Sequence, residues 1–195
     1  LVENALDSLR EAMNYYNEGD EEDNANQYKF SILLSAHCVE LLLKEILRRN
    51  HPALLFENID SVKDLQDDDN QTVGYKNAIQ RVKKLCGVDL KQYETYIDEL
   101  GRVRNQIQHY KCYINGEYHK QLMAKTFSAI EFIFRDILGL KFEDYENIIE
   151  SADIDFLHED IAANKARKKD IGKDFEKSEN RFRIEYVDGK YLEVC

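Results

Sequence analysis

Ten residues in the second half of the chain read Gly101-Arg-Val-Arg-Asn-Gln-Ile-Gln-His-Tyr110, and they close a long helical pattern. This pattern predicts an amphipathic helix from about Leu90 to Tyr110, with one face buried in a helical core. The apolar side chains of that face recur at spacings of three and four residues, at Leu90, Tyr93, Ile97, Leu100 and Ile107.

Arg104 interrupts this apolar face, because the spacing between Leu100 and Ile107 places position 104 on the buried stripe. A buried charge is costly unless it is paired, so Arg104 needs an acidic partner or a ligand. Glu40, on an earlier helix, is one candidate partner. The alternative is that Glu40 forms an ordinary surface pair with Lys44, four residues further along its own helix.

Arg104-Asn-x-x-x-His109 resembles the signature of the HEPN superfamily (higher eukaryotes and prokaryotes nucleotide-binding domains). That signature is an Arg, a polar residue, three or more variable residues and a His. The helix Ser35–Leu47 also resembles the second helix of the superfamily, and the resemblance covers about residues 1–140. Many members are metal-independent endoribonucleases, often toxins or antiphage effectors, and two protomers typically pair so that both motifs line one cleft. Other members are non-catalytic binding modules.

The resemblance implies RNA cleavage by the adjacent 2′-hydroxyl, the group that distinguishes RNA from DNA. His titrates near neutrality and Arg offers a permanently charged fork for phosphate oxygens, so no metal or cofactor is required. We assign His109 as general base or acid, Arg104 as phosphate clamp and Asn105 as the positioning residue. Substrate-binding roles are assigned to Arg102, Tyr110 and Lys111.

The helical spacing complicates this assignment. Five residues of regular helix turn a side chain by about 140°, so Arg104 and His109 do not share a face, whereas Asn105 and His109 do. Either the helix loosens near its end or Arg104 reaches the site from the flank. A homodimer about this helix would gather two sets of cationic groups and offset the acidic remainder of the chain.

Simpler interpretations of the same residues remain open. His109 is also explained as a helix-end His that interacts with the helix dipole, and Arg104 as a salt-bridged core residue. A metal site built from His109, Cys112 and His119 has irregular spacing. His37, within an apolar helix, is predicted to be a buried, hydrogen-bonded core residue. Some HEPN toxins carry a modified Tyr two residues after the motif His, a position that Lys111 occupies here.

The rest of residues 1–140 predicts an all-α, up-and-down bundle of about five helices. A first helix from Val2 ends at the turn signal Asn17-Glu-Gly-Asp20, and a central helix runs from about Ala25 to Asn50. The other helices are predicted at about 75–86, 90–110 and 118–138.

Two further segments follow the bundle. Residues 141–180 predict a helical extension with a narrow apolar seam, interrupted by Asn164 and Lys168, that either docks on another surface or lies solvated along the edge of the bundle. Residues 181–195 predict a β-hairpin around Asp188-Gly189. The chain reads as a fragment, and Cys195 is hypothesised to begin a small zinc module that lies further along a longer protein.

Composition limits the possible partners. The formal net charge is −11, which argues against a general nucleic-acid-binding surface, so an RNA site must be a local positive pocket. The same acidity suits a basic antitoxin or regulatory protein. The four Cys are scattered without a Cys-x-x-Cys pair, which predicts a reducing, cytoplasmic location. The sequence also predicts neither a signal peptide nor a membrane-spanning segment.

Overall fold

The computed structural model describes residues 1–22, 24–62, 64–65, 70–109, 114 and 116–171. The regular structure of these residues is helical, which confirms the all-α prediction; their only β-type pairing is an isolated bridge between Phe56 and Thr72. The β-hairpin predicted at 181–195 lies outside the described residues. The helices are α1 (Val2–Glu22), α2 (Ala25–Asn50), α3 (Tyr75–Lys84), α4 (Tyr93–His109), α5 (Gly116–Glu131) and α6 (Ser151–Ile171).

Helix α2 is the centre of the fold and packs against α1, α3, α4 and α5. Its apolar residues face several neighbours at once, which explains why they surround the helix instead of forming one stripe. Full burial of such side chains contributes about 1.5–3 kcal/mol each, so α2 carries much of the stability of the core. The buried apolar residues of α2 include Ile32, Val39, Leu42, Leu43 and Leu47.

Helix α1 is longer than the sequence predicts. The turn signal Asn17-Glu-Gly-Asp20 does not end it, and the helix continues to Glu22, so this prediction was wrong. A Cβ atom on Gly19 would lie 2.7 Å from the ring of Tyr28, too close for a real contact. Gly19 is therefore required for the close approach of α1 and α2, and it does not mark the end of the helix.

Helix α4 begins at Tyr93, three residues later than predicted. The delay is caused by the backbone conformation of the preceding loop. Lys91 has a φ of 53°, which a helix cannot accommodate. Its backbone N–H donates to Asp89 Oδ1 at 2.8 Å, a local turn that side-chain oxygens of Asp commonly stabilise. Leu90 is buried as predicted, but it reaches the core from this loop.

The segment after α5 belongs to the same core as the bundle. Helix α5 continues as a π-helix, Phe132–Ile137, and Gly139 follows with a φ of 65°. Phe142, Ile149, Ile154 and Leu157 are buried in the main core cluster, and α6 packs on α5. The first half of α6 therefore lies against the bundle, whereas the side chains of Asn164 and Lys168 are outside the described set. None of the helices in the described ranges is long and apolar enough to span a bilayer.

Candidate active site

Arg104 has the acidic partner that its position on α4 demands. Its Nη2 atom lies 3.7 Å from Glu40 Oε2, and the Arg104 side chain is 28% exposed. The other oxygen of Glu40 accepts a hydrogen bond of 2.8 Å from Lys44 Nζ, which also donates to Thr72 Oγ1 at 3.0 Å. Glu40 therefore binds both cations, one on its own helix and one on α4. The Glu40–Lys44 pair is not a surface pair, since Glu40 and Lys44 are only 13% and 11% exposed.

The contact between Arg104 and Glu40 is a loose one. At 3.7 Å it exceeds hydrogen-bonding distance, and it lacks the short two-point geometry of a strong Arg–carboxylate pair. One carboxylate also serves two cations, so the group of Glu40, Lys44 and Arg104 keeps a net positive charge. This arrangement holds the guanidinium in place electrostatically and leaves it able to bind an additional anion.

Tyr75 supports the same guanidinium from α3. Its ring centroid lies 5.9 Å from Arg104 Cζ, a cation–π distance, and its hydroxyl donates to the Ile97 carbonyl at 2.9 Å. Burial, with a smaller contribution from Asp98, raises the pKa of the Tyr75 hydroxyl, so the group stays a neutral donor. The ring packs against Gly101, where a Cβ atom would lie 2.6 Å from Cε1. Tyr75 thus locks α3 to α4 directly beside Arg104.

An open pocket of about 640 Å³ lies next to this cluster, between α3, α4 and the loop after α2. Its lining carries three cations, Lys76, Arg102 and Arg104, against two carboxylates, Glu57 and Asp98, so the pocket has one excess positive charge in an acidic chain. The remaining lining residues are Gly74, Tyr75, Asn77, Ile79, Gly101 and Asn105. The pocket is therefore locally positive, as an RNA site on this acidic chain would have to be.

The structure brings together only part of the predicted site. Arg102, Arg104 and Asn105 line the pocket, with Arg102 and Asn105 exposed to solvent. His109 is exposed at the last residue of α4 and is not among the residues that line the pocket. The helix is regular up to His109, so it does not loosen to bring the imidazole round to Arg104. Tyr110 and Lys111 lie outside the described residues.

Several residues of the pocket were not predicted from the sequence, above all Tyr75. One signal was present: Gly101 lies in the interior of a predicted helix, where Gly is less favourable than Ala by about 1 kcal/mol. Such a Gly indicates that another group approaches the backbone closely, and here that group is the Tyr75 ring. Which side chain approaches could not be read from the sequence.

Two other His residues are placed differently from the predictions. His37 is exposed, so its predicted burial was wrong, but it is hydrogen-bonded as predicted: its Nδ1 atom is 2.9 Å from Oγ of Ser8 on α1, which packs against α2. His119 is fully buried and stacks on Tyr28 with ring centroids 4.3 Å apart. Within the described ranges no group of three potential metal ligands occurs, and Cys112 is outside those ranges.

No protein-family model, no curated protein and no solved structure matches this chain. Function is therefore inferred from the chemistry of α4 and of the helices that pack against it.

Proposed function

We propose that this chain is a metal-independent endoribonuclease of the HEPN type that acts as a homodimer. The observation that carries the proposal is the state of Arg104. Its guanidinium is half-buried on α4, supported by Tyr75, only loosely paired with Glu40, and exposed to an open pocket that also contains Asn105. A structural Arg in a core is normally held by short hydrogen bonds on all sides, whereas a phosphate clamp needs free donor capacity.

The chemistry assigned to these residues follows from their side chains. The 2′-hydroxyl of RNA attacks the neighbouring phosphorus, and the 5′-oxygen of the next nucleotide leaves. Arg104 would stabilise the extra negative charge on the phosphate oxygens, while Asn105 donates a hydrogen bond that orients the phosphate. His109 would take the hydroxyl proton or supply a proton to the leaving oxygen, and water would exchange the other proton. The products would be a 2′,3′-cyclic phosphate and a free 5′-hydroxyl. Arg102 would bind a flanking phosphate.

A second protomer is needed because His109 lies outside the pocket of its own chain. Residues 102, 105 and 109 are all exposed on α4, so a symmetric pairing of α4 helices can place the His109 of one protomer at the Arg104 pocket of the other. The same pairing adds the excess positive charge of two pockets. The proposed biological role is that of a toxin or antiphage effector, controlled by an antitoxin or regulatory protein.

The alternative function is a non-catalytic helical module that binds a nucleotide or a partner protein. It is favoured by the contact between Arg104 and Glu40 and by the position of His109 away from the pocket. In that case the pocket would bind a nucleotide phosphate without cleaving it. Nucleotide would then raise the melting temperature, and Arg104→Ala would abolish the increase.

A subunit-mixing experiment distinguishes these functions. Purified wild-type protein is expected to cleave a mixed RNA pool without added metal, and Arg104→Ala and His109→Ala are each expected to be inactive. When the two variants are co-expressed, half of the dimers are mixed and each mixed dimer has one intact composite site. About a quarter of wild-type activity should therefore return. Glu146→Gln, an exposed residue outside α4, is the control and should retain full activity.

Each other outcome has a definite meaning. If both single variants are inactive and their mixture also remains inactive, the composite site is refuted. The protein would then be a nuclease whose site lies within one chain. Equal activity of His109→Ala and wild type would refute the catalytic role of His109. Absence of cleavage by the wild type, together with nucleotide-dependent stabilisation that needs Arg104, would establish the binding module instead.

A further inference from the structure

A second open groove, of about 630 Å³, lies between the C-terminal half of α1 and the first turns of α2. It is separate from the pocket beside Arg104 and shares no lining residue with it. Its lining consists of two carboxylates, three amides and two aromatic rings: Glu11 and Glu18, Asn14, Asn17 and Gln27, Tyr15 and Phe30.

The two aromatic rings form one wall of this groove. The ring centroids of Tyr15 and Phe30 are 5.3 Å apart and their planes are inclined by 36°. Phe30 is 49% exposed, although a neighbouring aromatic residue of the same helix, Tyr28, is buried. The face of an aromatic ring carries a negative partial charge, so the exposed Phe30 ring beside Tyr15 is a favourable surface for a cation.

The charges of the groove also favour a cation. Among the described residues, no Lys or Arg lines it, whereas Glu11 and Glu18 do. Glu18 Oε2 accepts a hydrogen bond of 2.8 Å from Gln27 Nε2, which fixes the carboxylate while leaving its charge in place. Arg10 approaches Glu11 at 3.4 Å, but it also pairs with Asp7 at 3.4 Å and donates to the Ile148 carbonyl at 2.8 Å. Arg10 is therefore shared with groups outside the groove.

We infer that this groove binds a Lys or Arg side chain from a basic segment of a partner protein. The cationic group would lie against the rings of Tyr15 and Phe30 and pair with Glu18, while Asn14 and Asn17 would hydrogen-bond the peptide backbone. A nucleic-acid strand does not fit, because its phosphates would face two carboxylates without a compensating cation. The inference does not depend on nuclease activity, since it uses no residue of α4.

The test uses the whole chain and three short capped peptides: Gly-Arg-Arg-Gly, its Lys equivalent and its Glu equivalent. Binding is followed by NMR, on the side-chain amides of Asn14, Asn17 and Gln27. The two cationic peptides should shift these signals and the acidic peptide should not. Phe30→Leu, which keeps an apolar side chain but removes the π face, should weaken binding about fivefold. Glu18→Gln should weaken it about threefold.

Matched variants separate a specific groove from general attraction to an acidic protein. Glu146→Gln removes the same charge from an exposed position elsewhere, and Leu85→Ala truncates another exposed apolar residue. Both should bind the cationic peptides like the wild type. Equal weakening by Glu146→Gln and Glu18→Gln, or unchanged binding by Phe30→Leu, would overturn the inference. A short single-stranded RNA that shifts the same three amides would overturn it as well.

Discussion

Gly101→Ala tests the packing that supports the candidate site. In a free helix this substitution is favourable by about 1 kcal/mol, because Ala is the better helix former. Here the new Cβ atom would lie 2.6 Å from Tyr75 Cε1 and 3.0 Å from Cδ1. Overpacking a core costs about 1–3 kcal/mol, and moving the Tyr75 ring also strains its hydrogen bond to Ile97, worth about 1 kcal/mol. The expected net effect is a loss of about 1–2 kcal/mol in the free energy of unfolding.

The assay is urea unfolding of four proteins: wild type, Gly101→Ala, Tyr75→Ala and the double variant. In the Tyr75→Ala background the clash is absent, so Gly101→Ala should change sign and stabilise the protein by up to about 1 kcal/mol. Gly74→Ala is the control without a clash, because a Cβ atom there meets nothing within 4 Å; it should show only the cost of exchanging Gly for Ala at the N-cap of α3. A Gly101→Ala variant that is at least as stable as the wild type would refute the proposed contact between α3 and α4.

Two further predictions concern the carboxylates of Glu40 and Glu45. Glu40→Gln should lower the free energy of unfolding by about 2 kcal/mol, because it leaves two partly buried cations without their shared carboxylate. The control is Glu143→Gln, at a side chain that is 62% exposed. In the same urea titration it should change the free energy of unfolding by less than about 0.5 kcal/mol. The hydrogen bond from Arg48 holds the pKa of Glu45 in the folded protein below its ordinary value of 4.5. The ionised Glu45 therefore stabilises the fold. This stabilisation is fully present above pH 4.5 and is lost as the pH falls through the lower pKa of the folded state. Unfolding curves between neutral and acidic pH should therefore show a shallower acid-induced loss for Glu45→Gln than for the wild type, and parallel losses would contradict this assignment.

The bounds of α2 were predictable because residues that start and stop helices flank the apolar segment that forms the core. The Asn24 side chain accepts from the backbone N–H of Asn26 at 3.0 Å and caps the start of the helix, while Pro52 follows its end. The end of α1 was not predictable in the same way. Gly19 carries a local turn signal, but its contact with Tyr28 overrides that signal, and the contact exists only after α1 and α2 have packed.

Sequence periodicity alone determined that residues 1–140 form a helical bundle, where most of the described helices lie, and that Arg104 needs an acidic partner or a ligand. These conclusions follow from the spacing of apolar residues within single helices and from the free-energy cost of burying a charge. Neither requires knowledge of how the helices pack together. Only the tertiary structure decided that Glu40 is the partner, that Tyr75 supports the guanidinium, and that His109 is left outside the pocket. The repeat of a helix shows which of its side chains share a face, but the rotation and packing of neighbouring helices determine which groups that face meets.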